Sequence, residues 1–212
     1  MAGEPMIFRT VKIVTRGLAI AATVLTTLGL LGSCRSPKEK SPDLPSEPPP
    51  ASLGAQAQDA AARARAVLKP VKESFLATLS SMMAQGTEEA IAACRVIAPG
   101  LTQAASKEGI AVGRTSHRLR NPANAPRDWV KPFLEEFQKI PTDPQAFRTV
   151  ALPDGKTGYV EPIYVKPLCL HCHGAALSEP VAAKIQSLYP KDQATGFKEG
   201  DFRGLFWVEM EK

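Results

Sequence analysis

The sequence predicts an α+β fold in which long helices come first and antiparallel strands follow. Apolar residues recur every three or four positions early in the body, β-rich runs dominate later, and a hairpin-type turn joins two of those runs. Strands and helices do not alternate regularly, so a parallel βαβ array is not expected. Of the 212 residues, 22% are charged and 44% hydrophobic, which excludes a wholly disordered chain and a multi-span membrane protein.

The N-terminal segment has the layout of a bacterial lipoprotein signal peptide over residues 1–33. Its first part carries three basic residues against one acid. The uncharged run Leu18–Leu31 follows and is short for a membrane span of about 20 residues. The tetrapeptide Leu31-Gly32-Ser33-Cys34 resembles a lipobox, which predicts cleavage after Ser33 and lipidation of Cys34. A signal anchor with an incidental cysteine is the alternative, and either interpretation places the body outside the cytoplasm.

Residues 34–58 have the composition of a semi-extended linker. They are rich in proline, serine and charged residues. We therefore place the folded domain at residues 59–212. Arg35 follows the cysteine, which by resemblance to the sorting signals of enteric-type bacteria favours the outer membrane. The expected location is the cell envelope, as an outer-membrane or periplasm-facing lipoprotein whose partner is the lipid membrane bound through Cys34.

The charge balance does not indicate a nucleic-acid partner. The chain has 26 basic and 21 acidic residues, a formal charge of +5. Cleavage of the signal would remove three basic residues and one acid, which leaves a formal +3. An excess this small, part of which lies in the segment expected to be removed, is not the electrostatic footprint of a DNA- or RNA-binding protein.

Two helices are predicted at the start of the body, over residues 59–84 and 87–106. Both have apolar positions spaced for one buried face. Pro70 and Pro99 fall inside them and are expected to kink or break them. Thr87 has the residue type of an N-cap for the second helix.

The remainder of the body is predicted to be rich in strands. Apolar patterning predicts strands over 110–115, 147–152, 157–165 and 203–209, and helices over 128–139 and 180–188. The tetrapeptide Pro153-Asp154-Gly155-Lys156 lies between two of these strands and has the composition of a hairpin turn.

One pentapeptide, Cys169-Leu170-His171-Cys172-His173, carries the strongest chemical signal in the sequence. Two thiols separated by two residues and followed by a histidine are typical of covalent c-type haem attachment. Two thioether bonds anchor the porphyrin, and the adjacent imidazole is then held as an iron ligand. Cys169 and Cys172 are therefore assigned to attachment and His173 to the metal, and one covalent haem c is the expected cofactor.

Zinc binding and thiol redox chemistry are the competing interpretations of this pentapeptide. Its two cysteines and two histidines could supply four ligands, but so short a segment does not easily surround a tetrahedral ion alone. A Cys-x-x-Cys oxidoreductase is expected in a thioredoxin-like βαβ context, which the element order lacks. Haem attachment is the interpretation that the pattern favours.

Several motifs occur together with the pentapeptide. They are Gly113-Arg114-Thr115-Ser116, Arg120–Pro126, Trp129, Pro162-Ile163 and Cys169–Gly174. Together they resemble a family of bacterial extracytoplasmic c-type haem domains of unknown function, found in a cyanobacterial cytochrome and in sensor regions of signalling proteins. The resemblance covers about residues 60–210 and implies a PAS-like antiparallel sheet behind long N-terminal helices. It also implies a His/Cys-ligated iron, with His173 proximal and Cys94 distal.

A count of the cysteines also leaves Cys94 available. The lipid and haem assignments use three of the four cysteines, and a free thiol in an oxidising compartment needs protection or a use. The apolar stripe of its helix predicts that Cys94 faces inward, which fits an iron ligand or a small buried hydrophobe. His117, Met82 and Met83 remain open as alternative ligands.

The basic residues nearest to the motifs are candidates for binding the haem carboxylates. Partly buried carboxylates need cationic or hydrogen-bonding partners, and Arg114, Arg118 and Arg120 are close in sequence. Arg114 and Arg120 are assigned to cofactor binding, with capping of backbone carbonyls around the Asn/Pro turn as the alternative. His171 is expected to face solvent and Trp129 to lie in the core.

Two functions follow from these assignments. A thiolate stabilises ferric iron, so a Cys/His-ligated haem is expected to have a low reduction potential. With both axial positions filled, the protein is expected to be an electron carrier or redox relay and not an enzyme. The alternative is a haem-based redox or gas sensor that binds nitric oxide or carbon monoxide and signals through an unknown partner protein.

Overall fold

The structure, a computed structural model, describes residues 50–211, and it has the expected order of helices and strands. The predicted signal peptide over 1–33 and Cys34, the predicted lipidation site, lie outside the described residues. The helices are α1 (Pro50–Met83), α2 (Thr87–Ala105), α3 (Lys131–Phe137), α4 (Leu170–His173) and α5 (Glu179–Leu188). The strands are β1 (Ala111–Thr115), β2 (Arg148–Ala151), β3 (Thr157–Tyr164) and β4 (Phe202–Met210).

The four strands form one antiparallel sheet in the order β1-β4-β3-β2. β4 lies between β1 and β3, with Thr115 opposite Leu205 on one side and Thr157 opposite Met210 on the other. The predicted hairpin joins β2 to β3, and Gly155 adopts a φ of 82° in its turn, a conformation that favours glycine. The α+β class, with long helices ahead of an antiparallel sheet, is confirmed.

Helices cover both faces of the sheet. On one face, α1 places Ala61, Ala64 and Leu68 against buried side chains of β3 and β4. The two alanines let the helix backbone approach the sheet closely. On the other face, Leu134 and Phe137 of α3 pack against the opposite side chains of the same strands. The alternation of side chains along β4 supplies both cores, because neighbouring residues in a strand point to opposite faces.

A polar network also joins α1 to the sheet. The Tyr159 hydroxyl donates to Glu161 at 2.8 Å and accepts from Arg65 at 3.2 Å, and Lys72 donates to Glu161 at 2.6 Å. Burial raises the pKa of the Tyr159 hydroxyl well above its usual value, so it remains a hydrogen-bond donor at neutral pH. These contacts fix the position of α1 along the strands.

The start of α1 and the N-cap of α2 differ from the sequence-based expectations. α1 begins at Pro50 and not at residue 59, because residues 51–58 are mostly alanine and glutamine, which favour helix. Neither Pro70 nor Pro99 breaks its helix, so a kink remains the expected effect of each proline. Within the described residues, no helix is long and apolar enough to cross a membrane.

The N-cap of α2 is also different, because Gly86 takes this position and Thr87 is the first helical residue. Gly86 has a φ of 142°, and a Cβ there would lie 2.3 Å from a carboxylate oxygen of Glu89. Only glycine fits this turn without strain, so the threonine is displaced by one position.

Candidate cofactor cleft

An open cleft lies between the α1–α2 helix pair, the end of β1 and the segment that carries the pentapeptide. It encloses about 1130 Å³ of empty space, including open solvent at its mouth. All six site residues that were predicted within the described part of the chain line it: Cys94, Arg114, Arg120, Cys169, Cys172 and His173. The cleft therefore brings together the residue types that the motifs predicted.

The two cysteines of the pentapeptide sit on one helical turn. Cys169 ends a 3₁₀ turn and Cys172 lies in α4, so their spacing of three residues places both on one face. Both are free thiols, and burial raises the pKa of the Cys172 thiol to about 11. His171 is exposed, as predicted.

The His173 imidazole is oriented by one hydrogen bond. Its Nδ1 lies 2.6 Å from the backbone carbonyl oxygen of Ala194, which can only accept, so Nδ1 carries the proton. The lone pair is then on Nε2, the free ring nitrogen. Burial, reinforced by Arg120 and Arg203, holds the pKa of His173 well below its usual value, so the ring is neutral at pH 7. A neutral imidazole with a free Nε2 is the form that binds a metal.

Cys94 faces the same cleft from α2. Burial raises the pKa of its thiol, whereas the guanidinium groups of Arg114 and Arg120 favour the thiolate. Cys94 and His173 thus reach one cleft from elements that are distant in the sequence. The predicted inward orientation of Cys94 is confirmed, since its side chain is partly buried and lines the cleft.

The predicted arginines differ in what they contact. Within the described residues, Arg114 makes no hydrogen bond or ion pair, and its guanidinium lies 4.9 Å from the centre of the Phe75 ring. Burial lowers the pKa of Arg114. Arg120, in contrast, donates to the Asp192 carboxylate and to the Cys172 carbonyl oxygen. Arg114 therefore keeps its donors available to a ligand, whereas those of Arg120 are largely used by the protein.

Comparisons with known proteins identify a family and a similar fold. A family model described as Tll0287-like (Tll0287) matches residues 52–210. The chain belongs to the Tll0287-like family. A solved structure, described as the crystal structure of the cyanobacterial heme-protein Tll0287, is similar with a TM-score of 0.55 and 24% identity. The match covers 78% of this chain and 98% of that chain, and at this identity it shows a shared fold. No curated protein matches.

The resemblance predicted from the motifs is thus confirmed at the level of the Tll0287-like family. The structure keeps the alternative iron ligands out of the cleft. The His117 ring packs against Phe202 and Phe197, with ring centres 5.6 and 6.0 Å apart. Met82 borders a smaller gap behind Cys94. Trp129 lies in the core against Trp207, as predicted.

One charged residue of this Tll0287-like cleft was not predicted from the sequence. Arg203 lines the cleft and donates to the Ser116 hydroxyl at 2.7 Å and to the Arg118 carbonyl oxygen at 3.2 Å. Burial, with repulsion from Arg120 and Arg114, lowers the pKa of Arg203 to about 10. Its place depends on the pairing of β4 with β1, and no motif in the sequence reveals that register.

Proposed function

We propose that this protein binds one haem c in the cleft, held by thioether bonds to Cys169 and Cys172 with His173 as an iron ligand. The observation that carries the proposal is that both thiols and a neutral imidazole with a free Nε2 line one open cleft. The similar solved structure is described as that of a heme protein, which supports haem binding here.

The charges of the cleft suit the two carboxylates of a haem. The cleft is lined by three arginines, Arg114, Arg120 and Arg203. Of these three, only Arg120 forms an ion pair with a carboxylate among the described residues. Two partly buried guanidinium groups, those of Arg114 and Arg203, are therefore left without an acidic partner. A dianionic ligand would supply the missing negative charge beside these two groups. The lowered pKa of Arg203 reflects burial first and repulsion from Arg120 and Arg114 second.

We further propose that Cys94 would supply a second protein ligand to the iron. It is the third cysteine in the cleft, and the guanidinium groups of Arg114 and Arg120 oppose the burial that raises the pKa of its thiol. The bound group supplies one-electron redox chemistry, and a thiolate ligand lowers its potential. Because His173 and Cys94 would then both bind the iron, we propose a role in electron transfer and not an enzymatic one.

The N-terminal sequence supplies the cellular context of the proposal. A lipid on Cys34 would attach the domain to a membrane of the cell envelope, outside the cytoplasm. There the domain would exchange electrons with a partner protein or, in the alternative role, report a change of redox state or a bound gas to a partner.

The test is to produce the full chain in a host that matures c-type cytochromes. We expect the peptide containing residues 168–174 to carry the mass of a haem, and we expect a low-spin absorption and EPR spectrum. Cys94→Ser should retain the covalent haem and change the spectrum, whereas Cys34→Ser should leave both unchanged. A colourless full chain would contradict haem binding, and an unchanged low-spin signal in Cys94→Ser would exclude Cys94 as a ligand.

The behaviour of the reduced protein distinguishes the electron carrier from the sensor. A carrier is expected to keep both protein ligands when it is reduced and to bind no gas. A shift of the absorption maximum when nitric oxide is added to the reduced protein would instead favour the sensor. This measurement uses the same purified chain and needs no partner protein.

A further inference from the structure

The carbonyl oxygen that orients His173 belongs to a loop, residues 192–196, here called the Ala194 loop. Backbone bonds fasten this loop to the end of the pentapeptide, because Gly196 donates to the Gly174 carbonyl and Phe197 donates to the His173 carbonyl, both at 2.9 Å. The Ala194 carbonyl oxygen itself has a second donor besides His173. Arg120 Nη2 lies 3.2 Å from it.

The Arg120 guanidinium joins the Ala194 loop to the pentapeptide. Its Nε and Nη2 donate to the two carboxylate oxygens of Asp192, at 3.1 and 3.2 Å, and Nη2 also donates to the Cys172 carbonyl oxygen at 2.6 Å. Asp192 in turn accepts from the Ala194 backbone N–H at 3.0 Å. The side chains of Arg120 and Asp192 are only 12% and 6% exposed, so solvent does not replace these contacts easily.

We infer that Arg120 is a positioning residue for the His173 imidazole. It holds the Ala194 carbonyl at a fixed distance from the backbone of Cys172, and the bond from His173 Nδ1 to that carbonyl then fixes the direction of Nε2. Asp192 contributes to the same positioning, because its carboxylate accepts hydrogen bonds from both the Arg120 guanidinium and the Ala194 N–H. The inference deepens the proposed function, since it assigns the residues that aim the proximal ligand.

This role differs from the carboxylate binding that the sequence suggested for Arg120. A residue that binds a haem carboxylate acts through its charge and needs donors that point into the cleft. A positioning residue needs the shape of the guanidinium, because several acceptors are bound at once. Lysine keeps the charge but cannot bind two carboxylate oxygens and two carbonyls in this arrangement.

The experiment measures how fast the Nδ1 proton of His173 exchanges with solvent in the full chain. The chain has three histidines, so ¹⁵N-histidine labelling gives few signals to assign. We expect Arg120→Gln and Arg120→Lys to speed exchange by about tenfold or more, because the acceptor carbonyl is no longer held. Arg127→Gln removes a different arginine–carboxylate pair, with Glu209, outside the cleft, and should leave exchange unchanged.

Each outcome bears on the inference. If the exchange rate of the His173 Nδ1 proton is unchanged in both Arg120 variants, the inference is overturned. It is also overturned if exchange is fast in Arg120→Gln but remains at the wild-type rate in Arg120→Lys, because that result would indicate an effect of charge alone. If Arg120→Gln does not fold, Asp192→Asn must also speed exchange. A full chain without haem would contradict the proposed function but not this inference, because the proton can be measured either way.

Discussion

At the scale of single residues, the pentapeptide depends on the glycine that follows it. The Gly174 N–H donates to the Leu170 carbonyl oxygen at 2.9 Å and closes the turn that carries both thiols. A Cβ on Gly174 would lie 2.6 Å from the same oxygen, which belongs to the backbone and cannot move aside cheaply. The absence of a side chain at this position is therefore part of the geometry of the site.

We predict that Gly174→Ala destabilises the protein by about 1–3 kcal/mol, because the methyl group overlaps the Leu170 carbonyl. Chemical denaturation of the purified chain would measure the change. Gly100→Ala is the matched control, since Gly100 lies inside α2 and a Cβ added there would have nothing within 4 Å. There alanine should stabilise the protein by about 0.5–1 kcal/mol through helix propensity. Equal effects at the two positions would contradict the role given to Gly174.

The sequence could predict those residues of the site whose role depends on local spacing. Cys169, Cys172 and His173 lie within one helical turn, so their common direction follows from the sequence alone. Arg203 and Ala194 could not be found in this way. The position of Arg203 depends on strand register, and Ala194 acts through a backbone carbonyl, for which the side chain carries no signal.

At the scale of elements, α1 is held to the sheet by a narrow stripe of its surface. Leu68 is fully buried in this stripe, whereas Leu76, two turns later in the same helix, is 48% exposed. α1 also supplies Phe75 and Leu79 to the wall of the cleft. The docking of α1 therefore affects both the core and the site.

We predict that Leu68→Ala costs about 2–5 kcal/mol of the free energy of unfolding, because the cavity would lie between two rigid elements. Leu76→Ala is the control in the same helix and should cost about 1 kcal/mol or less, because much of that side chain already contacts water. Urea denaturation of both variants measures the difference. A similar loss in both would mean that α1 does not pack on the sheet through the face that contains Leu68.

The elements themselves were largely predictable, but some of their ends were not. The strands and α5 follow apolar periodicity and lie within two residues of the expected bounds. The helix expected over 128–139 is instead a 3₁₀ turn, Asp128–Val130, followed by the shorter α3. Pro132 near the start of α3 lacks a backbone N–H, which is compatible with the first helical turn and explains where the regular helix begins.

At the scale of the whole molecule, the cleft is a meeting point of segments that are far apart in the chain. α2 contributes Cys94, β1 contributes Arg114, α4 contributes His173, and β4 contributes Arg203. A group bound in the cleft would touch all four elements, so binding and folding are expected to be linked. A ligand that binds only the folded state stabilises the protein by an amount that grows with the logarithm of its free concentration relative to Kd.

With haem attached as proposed, this linkage predicts how removal of the two thioether bonds changes stability. In a variant with both Cys169→Ala and Cys172→Ala, haem could bind only reversibly, so the unfolding temperature should rise with added haem. At a free haem concentration of about 100 times Kd the gain is about 2.7 kcal/mol. The unfolding temperature of the wild-type chain, which would already carry covalent haem, should not depend on added haem. The Cys34→Ser variant should behave in the same way, because Cys169 and Cys172 are intact. Calorimetry across a haem titration tests this prediction. If the unfolding temperature of the double variant does not change when haem is added, the cleft residues do not bind haem without the covalent bonds.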